Sequence, residues 1–388
     1  MPSGTGMKIV IIVFCAYLAL LGLDLLVRPD LAFSELENRY LEERPVFSWP
    51  ALLSGDYGRK LESWMADQIA GRDNWVGAKT ELLRLIGKRE NRGIYFGRDQ
   101  VLLQRFTKPG GAALDETIAG IRHLQSLLPD LPVSLLLAPT SAAVYPGKLP
   151  ALAVSDDQAA FIRQVEQLLA GQVQLVDVLD DLAEKADEPI YFCTDHHWTM
   201  RGAYYAWDSW LRQTGRPAAD PDAYTRQIVS KNFYGTSWAR AGLYRLPPDA
   251  IEVIWPVTPV PVRVHDVAAG ETRSSLYHPE YLEKRDQYGY FLGGNQPLLV
   301  IENEKTDPGG PARSLLVVKN SFANSLIPFL LRDFDAIHVV DLRFFQDNLA
   351  AYARDAAIDE ILFIYDVIGF GNDRQLRLLS RSELRSSP

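Results

Sequence analysis

The segment Thr194–Thr199 places an acid and a histidine at a spacing suited to proton transfer. Asp195 stands two residues before His197, and Trp198 follows directly. A carboxylate at this spacing can hydrogen-bond to one imidazole nitrogen and fix the tautomer, which leaves the other nitrogen free to act as a base. The pattern therefore predicts an acid–base pair, Asp195 and His197, and such a pair requires a nucleophile elsewhere in the chain.

Ser321 is the predicted nucleophile. It follows the apolar, strand-like run 314–318 and opens a helical stretch that begins near Phe322. A serine at the carboxyl end of a parallel strand is exposed, and the first N–H groups of the next helix point to where an oxyanion would form. A plain helix N-cap is the alternative, since serine favours that position anyway. The coincidence of Ser321 with an Asp-x-His pair in one domain favours the nucleophile.

Other chemistries compete for these residues. Adjacent histidines on an extended segment point in opposite directions, so at most one of them would bind a metal. The sequence around them has no His-x-x-x-His spacing and no cluster of carboxylates that would complete a metal site. We therefore predict no metal, and we expect His196 to face away from Ser321. A buried, satisfied histidine pair is the structural alternative. Cys193 is a second candidate nucleophile, but a small buried residue is the preferred interpretation.

The N-terminus departs from an otherwise soluble composition. Lys8 precedes an uncharged apolar run over residues 9–23, which Asp24 ends. A positive flank before such a run is typical of a secretory signal or an uncleaved anchor. No small-residue cleavage site follows at once, so the sequence predicts a single anchor over residues 1–30. A buried N-terminal helix is the alternative, but the run is apolar all round rather than amphipathic.

The rest of the composition is that of a globular protein. With 388 residues, 47% of them hydrophobic and 23% charged, the chain can form a large core, and long disorder is not expected. A net charge of −9 argues against a nucleic-acid partner, which normally requires a basic face. One of the two cysteines lies inside the apolar run, so no intramolecular disulfide is predicted.

Hydrophobic periodicity divides the chain beyond the anchor. Residues 31–92 are predicted as a helical lead-in and residues 93–388 as an α/β catalytic domain that opens with a hairpin at 94–103. Strands are predicted at 133–137, 173–178, 314–318, 336–340 and 360–365, with helices at 112–128, 156–170, 200–212, 323–332 and 344–356. Five short β-rich runs joined by helices favour a parallel five-stranded sheet covered on both faces. Residues 216–312 break the alternation and are predicted as a β and loop insertion over the ligand site.

These motifs resemble those of the bacterial DHHW family. Residues 194–199 carry its Asp-His-His-Trp signature, residues 35–39 and 93–97 resemble its lead-in, and residues 291–295, 319–325 and 341–344 fit its later part. That family is similar to the SGNH-hydrolase-like alginate O-acetyltransferases and to cell-wall polysaccharide acetylation proteins. The resemblance implies a three-layer α/β/α fold, with Asp195 as the triad acid, His197 as the general base and Ser321 as the nucleophile.

Two further residues are candidates for substrate binding. Asn295 follows two glycines, and Arg343 lies just beyond the run 336–340. For Arg343 an exposed ion pair is the alternative. The block Lys319-Asn320-Ser321 lacks the small residue that ordinary SGNH esterases carry before the nucleophile, so the sequence assigns no oxyanion-hole donors.

Sequence and resemblance together predict an extracytoplasmic O-acetyltransferase that acts on a cell-surface polysaccharide through an acetyl-Ser321 intermediate. Acetyl-CoA is absent outside the cytoplasm, so the resemblance implies a membrane-bound O-acyltransferase as acetyl donor; no cofactor is expected. The predicted location is the cell membrane, with the catalytic domain periplasmic or extracellular. One alternative is a polysaccharide acetylesterase with the same triad. The other is a non-catalytic exopolysaccharide binding or assembly protein whose aromatic residues stack on sugar rings.

Overall fold

The computed structural model describes residues 4–303 and 312–380. Residues 1–3 of the predicted anchor, 304–311 of the predicted insertion and 381–388 of the predicted catalytic domain lie outside the described residues. The chain forms two compact units. The first comprises the chain up to Asn91 together with Trp238–Arg245, and the second comprises Arg92–Ser237 and the chain from Leu246 onward. The predicted limits of anchor, lead-in and catalytic domain stay predictions.

The first unit begins with a long apolar helix, α1 (Gly4–Val27). Its 22-residue stretch Gly6–Val27 is almost entirely exposed, and among the residues that the structure describes it is the one helix long and apolar enough to cross a membrane. A signal sequence near an N-terminus meets the same criterion. The remaining elements of this unit are β1 (Phe33–Ser34), β2 (Arg39–Tyr40), α2 (Trp49–Leu53), α3 (Asp56–Gln68), α4 (Arg72–Leu85) and β3 (Glu90–Asn91).

The second unit alternates strands and helices. It opens with an antiparallel hairpin of β4 (Ile94–Phe96) and β5 (Leu102–Gln104), as the sequence predicts. The elements that follow along the chain are α5 (Gly111–Leu127), β6 (Val133–Ala138), α6 (Ser141–Val144), α7 (Gln158–Leu169), β7 (Gln174–Asp177), α8 (Leu179–Ala183), α9 (Met200–Gln213), β8 (Tyr224–Phe233), α10 (Thr236–Ala241), β9 (Asp249–Pro256), β10 (Val262–Asp266), β11 (Glu271–Arg273), β12 (Leu298–Asn303), β13 (Ser314–Lys319), α11 (Ile327–Leu330), β14 (Ala336–Val340), α12 (Leu349–Asp355), β15 (Glu360–Asp366), α13 (Val367–Asn372) and α14 (Arg374–Leu378). Of these, α10 belongs to the first unit from Trp238 onward.

Eight strands form one mixed sheet in the order β11-β10-β12-β14-β13-β15-β6-β7. Strands β14, β13, β15, β6 and β7 run parallel and coincide with the five predicted strands. Strands β12, β10 and β11 continue the sheet in antiparallel fashion from β14. The prediction of a parallel five-stranded sheet is therefore wrong, because the sheet has eight strands and the three additional strands make it mixed. Part of the segment 216–312 covers the edge of β14, whose N–H and C=O groups would otherwise lack partners.

Both faces of the sheet are buried. Leu315 and Val317 of β13 point into one hydrophobic cluster, which includes residues of α9, and Leu316 and Val318 point into the other, which includes residues of α5 and α7. A strand covered on both sides contains few polar residues, which is why its run of apolar residues is readable in the sequence.

The carboxyl edge of the parallel strands collects polar residues. Strand β13 ends at Lys319, β15 ends at Asp366, and Asp341 follows β14. Ser321 opens a short 3₁₀ helix, Ser321–Ser325, and α11 begins only at Ile327, so the predicted helix over 323–332 is divided in two. The nucleophile candidate thus lies at the strand-to-helix turn expected from the sequence.

Candidate active site

Asp195, His197 and Ser321 form one hydrogen-bonded chain. The Nδ1 atom of His197 lies 2.5 Å from Oδ1 of Asp195, and its Nε2 atom lies 2.8 Å from Oγ of Ser321. With the Nδ1–H donated to the carboxylate, Nε2 carries the lone pair that accepts the hydroxyl proton of the serine. The structure therefore brings together the three residues that the sequence singles out, although 124 positions separate His197 from Ser321.

The acid and the base share a compact bend. Tyr191 and Trp198 form an isolated antiparallel bridge, and residues 193–197 bend between them. The backbone N–H of His197 donates to Oδ1 of Asp195 at 3.0 Å, so the carboxylate that orients the imidazole also closes the turn that carries it. Two residues later Thr199 caps α9. Local hydrogen bonds thus hold Asp195 and His197 immediately before the N-terminus of α9.

The second carboxylate oxygen of Asp195 is held by Thr236. Its Oδ2 accepts the backbone N–H of Thr236 at 2.7 Å and the threonine hydroxyl at 3.0 Å. The preceding residue, Gly235, lies so close that a Cβ there would be 2.2 Å from Cβ of Asp195. Sequence reasoning missed both residues, because nothing in the segment 234–236 signals a contact with a motif some 40 positions earlier.

The pKa values of Asp195 and His197 are both shifted below their ordinary values. Burial opposes ionisation of Asp195, but the imidazoles of His196 and His197 and their hydrogen bonds outweigh it and hold the pKa of the carboxyl well below its usual range. Burial lowers the pKa of His197, and the neighbouring His196 lowers it further, against the opposing effect of Asp195. At neutral pH the pair is therefore a carboxylate beside a neutral imidazole, the protonation state that a general base needs.

The imidazole of His197 contacts two other rings. The ring of His196 lies at a centroid distance of 3.8 Å, and the ring of Tyr288 is stacked at 3.9 Å with an interplanar angle of 7°. The hydroxyl of Tyr288 donates to the backbone oxygen of Ser321 at 3.2 Å and lies 3.3 Å from Oγ of Ser325. Tyr288 therefore contacts both the base and the loop of the nucleophile, a role that the sequence did not indicate.

The expected alternation of His196 and His197 is wrong. Both rings lie beside Asp195, and Nδ1 of His196 is 3.4 Å from Oδ1 of the carboxylate and 2.6 Å from the hydroxyl of Thr236. Side chains alternate strictly only on an extended strand, whereas residues 193–197 form a bend. His196 is thus a neighbour of the base.

Three residues of the motif lie close enough together to bind a metal ion. Asp195, His196 and His197 each offer one ligand atom, and these atoms lie within 4.8 Å of one another. A metal bound by Oδ1 of Asp195 and Nδ1 of His197 would replace the hydrogen bond that orients the base. The bonds in place, from Asp195 through His197 to Ser321, match a catalytic triad more closely than a metal site.

The turn of Ser321 is held from both sides. Upstream, Asn320 accepts the N–H of Phe322 at 3.1 Å and donates to Oδ1 of Asp366 at 2.7 Å. Downstream, the indole N–H of Trp198 donates to the backbone oxygen of Phe322 at 2.9 Å. The tryptophan of the Asp-His-His-Trp motif therefore links the loop of Ser321 to the segment that carries His197.

A buried lysine lies two residues before the nucleophile. Nζ of Lys319 donates to Oδ1 of Asn295 at 2.7 Å and to Oδ1 of Asn324 at 2.8 Å, and it lies 3.8 Å from Oδ2 of Asp341. Burial lowers the pKa of Lys319 to about 8, against the opposing effect of Asp341. The lysine therefore ties three loops together beneath the carboxyl edge of the sheet.

The two predicted substrate-binding residues belong to this lysine cluster. Asn295 accepts the bond from Lys319, and Arg343 holds Asp341 through two bonds of 2.9 and 2.5 Å while 42% of its side chain stays exposed. Within residues 4–303 and 312–380 neither is bonded to Ser321 or His197. The ion-pair interpretation of Arg343 matches the structure, and a substrate contact for either residue stays a prediction.

Cys193 does not have the properties of a nucleophile. Burial raises the pKa of its thiol to about 11, and the carboxylate of Asp249 adds to the shift, so the thiolate is scarce at neutral pH. Its backbone N–H donates to Asp249 at 2.9 Å, which helps to position the motif segment. Cys193 and Cys15 are both free.

The family model of the DHHW protein matches residues 151–340, a range that contains Asp195, His197 and Ser321. The resemblance to the DHHW family is confirmed. The match covers the motif, the strands around it and the nucleophile turn. A comparison with curated protein sequences finds no match.

Solved structures resemble most of the chain. A DHHW family protein from Eubacterium siraeum is 21% identical, with a TM-score of 0.64 over 75% of this chain and 96% of that one. PatB1 of Bacillus cereus, solved with a sulfonyl adduct, is 22% identical, with a TM-score of 0.62 over 74% of this chain and 97% of that one. The O-acetyltransferase domain of Pseudomonas putida AlgJ is 17% identical, with a TM-score of 0.46 over 75% and 99% of the two chains. The first two share the mixed α/β fold with this chain.

Proposed function

We propose that this protein is an extracytoplasmic O-acetyltransferase that forms an acetyl-Ser321 intermediate and passes the acetyl group to a cell-surface polysaccharide. The observation that carries the proposal is the hydrogen-bonded chain from Ser321 through His197 to Asp195, at 2.8 and 2.5 Å. A buried carboxylate, a neutral imidazole and a serine in that order form the arrangement that activates a hydroxyl for acyl transfer.

The chemistry has two half-reactions. Nε2 of His197 takes the proton of Ser321 as Oγ attacks the acetyl carbonyl, and the imidazolium then returns this proton to the departing group of the donor. In the second half a hydroxyl of the acceptor attacks the acetyl-serine, His197 takes the acceptor's proton, and that proton returns to Oγ as the ester leaves. Asp195 keeps Nδ1 protonated and stabilises the imidazolium in both halves.

The architecture is consistent with this chemistry. We assign the second unit to the three-layer SGNH-hydrolase-like fold, because helices cover both faces of its sheet and Ser321 lies at the carboxyl edge of parallel strands. PatB1, which shares this fold, was solved with a sulfonyl adduct. We therefore expect an aryl sulfonyl fluoride to modify Ser321 as a second, independent label for the nucleophile.

The proposed partners follow from the location. With α1 in the membrane and Lys8 near its N-terminal end, the positive-inside bias places the second unit outside the cytoplasm. Outside the cytoplasm a membrane-bound O-acyltransferase is the proposed acetyl donor, and a surface polysaccharide is the proposed acceptor. A polysaccharide acetylesterase uses the same triad geometry with water as acceptor, so it is the second candidate function.

Intact mass spectrometry tests the nucleophile. The purified full-length chain, treated with 4-nitrophenyl acetate, should gain the mass of one acetyl group, and peptide mapping should place that group on Ser321. Ser321→Ala should abolish the adduct, whereas the matched control Ser325→Ala, a buried serine in the same turn, should retain it. An adduct on Ser325 or Cys193 would contradict the assigned site.

Acceptor dependence then separates the candidate functions. A transferase releases acetate slowly until a polysaccharide is added and then acetylates it, whereas an esterase deacetylates an acetylated polysaccharide in water. Calorimetry can show whether the purified protein is folded. If a folded protein forms no adduct and turns over no ester, the non-catalytic binding function is favoured instead.

A further inference from the structure

The two-stranded ribbon of β8 and β9 joins two distant parts of the second unit. At one end Asp249 accepts the backbone N–H and the hydroxyl of Thr194, and the backbone oxygen of Phe233 also accepts the hydroxyl of Thr194. At the other end Tyr224 pairs with Pro256. The ring of Tyr277 contacts Trp255 near the far end of the ribbon. Phe291 and Tyr288 connect Tyr277 to His197 through successive centroid distances of 6.3, 5.4 and 3.9 Å, so Tyr277 lies no more than about 16 Å from the imidazole.

A cavity of about 750 Å³ lies at this far end, and we call it the distal cavity. Three aromatic residues line it, Tyr224, Trp255 and Tyr277, and each ring is partly exposed. The rings of Trp255 and Tyr277 are in contact at a centroid distance of 4.6 Å. A volume of this size falls in the range of small-molecule sites, roughly 300–1,000 Å³.

Polar groups complete the lining of the distal cavity. The residues Asp220, Asp222, Ser274, Ser275 and Arg332 line it as well. A saturated hydrocarbon chain would cover the aromatic rings but leave the carboxylates without a partner from the ligand. A quaternary ammonium ion also suits aromatic rings, but Arg332 brings a positive charge into the same lining.

A sugar ring matches this lining better than either of those ligands. Its C–H face is apolar and stacks on aromatic rings, while its hydroxyl groups donate to carboxylates and to serine oxygens. A glycan is also long enough to contact two sites on one protein surface. The proposed function already requires a polymer of sugars as acceptor.

We propose that the distal cavity is an accessory glycan-binding site that holds one part of the acceptor chain while another part reaches Ser321. The inference rests on the proposed function, because it assigns the second site to the same polymer. Binding at the distal cavity raises the effective concentration of the chain at the triad, and this gain exists only for chains long enough to reach from the cavity to Ser321.

Direct binding is the first test. The full-length Ser321→Ala protein in detergent is titrated by calorimetry with cellohexaose, chitohexaose and a mannuronate hexasaccharide. At least one of these glycans should bind, and Trp255→Ala or Asp222→Asn should weaken that binding about tenfold, since each removes a stacking or charge-assisted contact. Trp75→Ala is the matched control, because Trp75 is exposed but lies outside the cavity.

The exposed Asp222 keeps this test valid if Trp255→Ala fails to fold. Binding of none of the glycans, binding that Asp222→Asn leaves unchanged, or binding of tetramethylammonium in place of every glycan would each overturn the proposal.

Kinetics with short and long acceptors is the second test. Asp222→Asn should raise KM about tenfold for a polysaccharide acceptor, and it should leave hydrolysis of 4-nitrophenyl acetate and transfer to a disaccharide unchanged. An equal loss with the disaccharide would overturn the proposal, because a disaccharide cannot span the two sites. A wild-type chain that turns over no ester refutes the proposed function instead, and the binding titration then still decides on the glycan site by itself.

Discussion

The ring of Tyr288 lies parallel to the imidazole of His197, with the ring centroids 3.9 Å apart and an interplanar angle of 7°. The ring of His196 is also close, with a centroid distance of 3.8 Å. In the proposed mechanism His197 becomes a cation over an aromatic face when it accepts the proton of Ser321, and such an arrangement would stabilise the charge.

Removing the stack should slow turnover more than it weakens binding. We expect Tyr288→Leu to lower kcat roughly five- to thirtyfold, which corresponds to about 1–2 kcal/mol of lost cation–π stabilisation in the transition state, with little change in KM. Tyr288→Phe keeps the aromatic ring, so its kcat should fall less than that of Tyr288→Leu. Tyr290→Phe, a change at another buried tyrosine nearby, serves as the control. If Tyr288→Phe were as slow as Tyr288→Leu, the hydroxyl contact with Ser321 would be the important one.

Replacing the acid should disable the base without unfolding the chain. Asp195→Asn keeps the shape of the side chain but can present an N–H to Nδ1 of His197, which selects the wrong tautomer. We expect kcat to fall by up to about 10⁴-fold, as in comparable triads, while the circular dichroism spectrum is retained. A variant that fails to fold would show that Asp195 is chiefly structural.

The dependence of activity on pH should show a low acidic limb. Only the neutral imidazole of His197 can accept the serine proton, so activity falls as pH decreases through its pKa. Burial places that pKa below the ordinary value of about 6.5, and the midpoint of kcat/KM for a small ester should therefore lie below pH 6.5. A midpoint above neutrality would contradict the assignment.

The folding stability of the protein should also fall as pH decreases. Because the folded-state pKa of His197 lies below the unfolded-state value, the unfolded chain binds this proton first as pH decreases. The contribution of the neutral imidazole to stability is present above pH 6.5 and is lost progressively below it. Thermal unfolding of wild type and His197→Gln across pH 4–8 measures this contribution as the difference between the two curves.

Gly235 should tolerate no side chain. A Cβ at this position would lie 2.2 Å from Cβ and 2.3 Å from Oδ2 of Asp195, so Gly235→Ala must displace the acid from Thr236. We expect a loss of about 1–3 kcal/mol in the free energy of unfolding together with most of the activity. Gly147→Ala is the control, since a Cβ there meets nothing within 4 Å. Equal behaviour of the two variants in denaturant titrations and ester assays would refute the close contact.

The location of the second unit is testable with fusions. If α1 is an anchor, the protein should sediment with membranes, and alkaline phosphatase fused to the C-terminus should be active because it folds only outside the cytoplasm. The same fusion without residues 1–30 should be soluble and inactive. An active cytoplasmic reporter on the full-length chain would exclude the proposed orientation.

Local patterns in the sequence were sufficient to predict the parallel strands and to select Asp195, His197 and Ser321, which the structure places within hydrogen-bonding distance. The two-residue spacing of Asp195 and His197 already allows their hydrogen bond, because a bend of that length brings a carboxylate to Nδ1. The apolar runs that became β13, β14 and β15 are readable because both faces of the sheet are buried. The placement of Ser321 at the end of β13 followed from the end of its apolar run.

Tertiary structure alone decided the surroundings of that triad and the extent of the sheet. Strand β12 has an apolar run, but it lies within the segment that the sequence predicts as an insertion, and β10 and β11 are short and more polar. They extend the sheet because β12 pairs with β14, β10 with β12, and β11 with β10. Tyr288 and Thr236 reach the site through contacts between distant segments, and no spacing in the sequence encodes such contacts. The sequence by itself therefore determined which groups can react, whereas long-range packing determined how the base is held, charged and oriented.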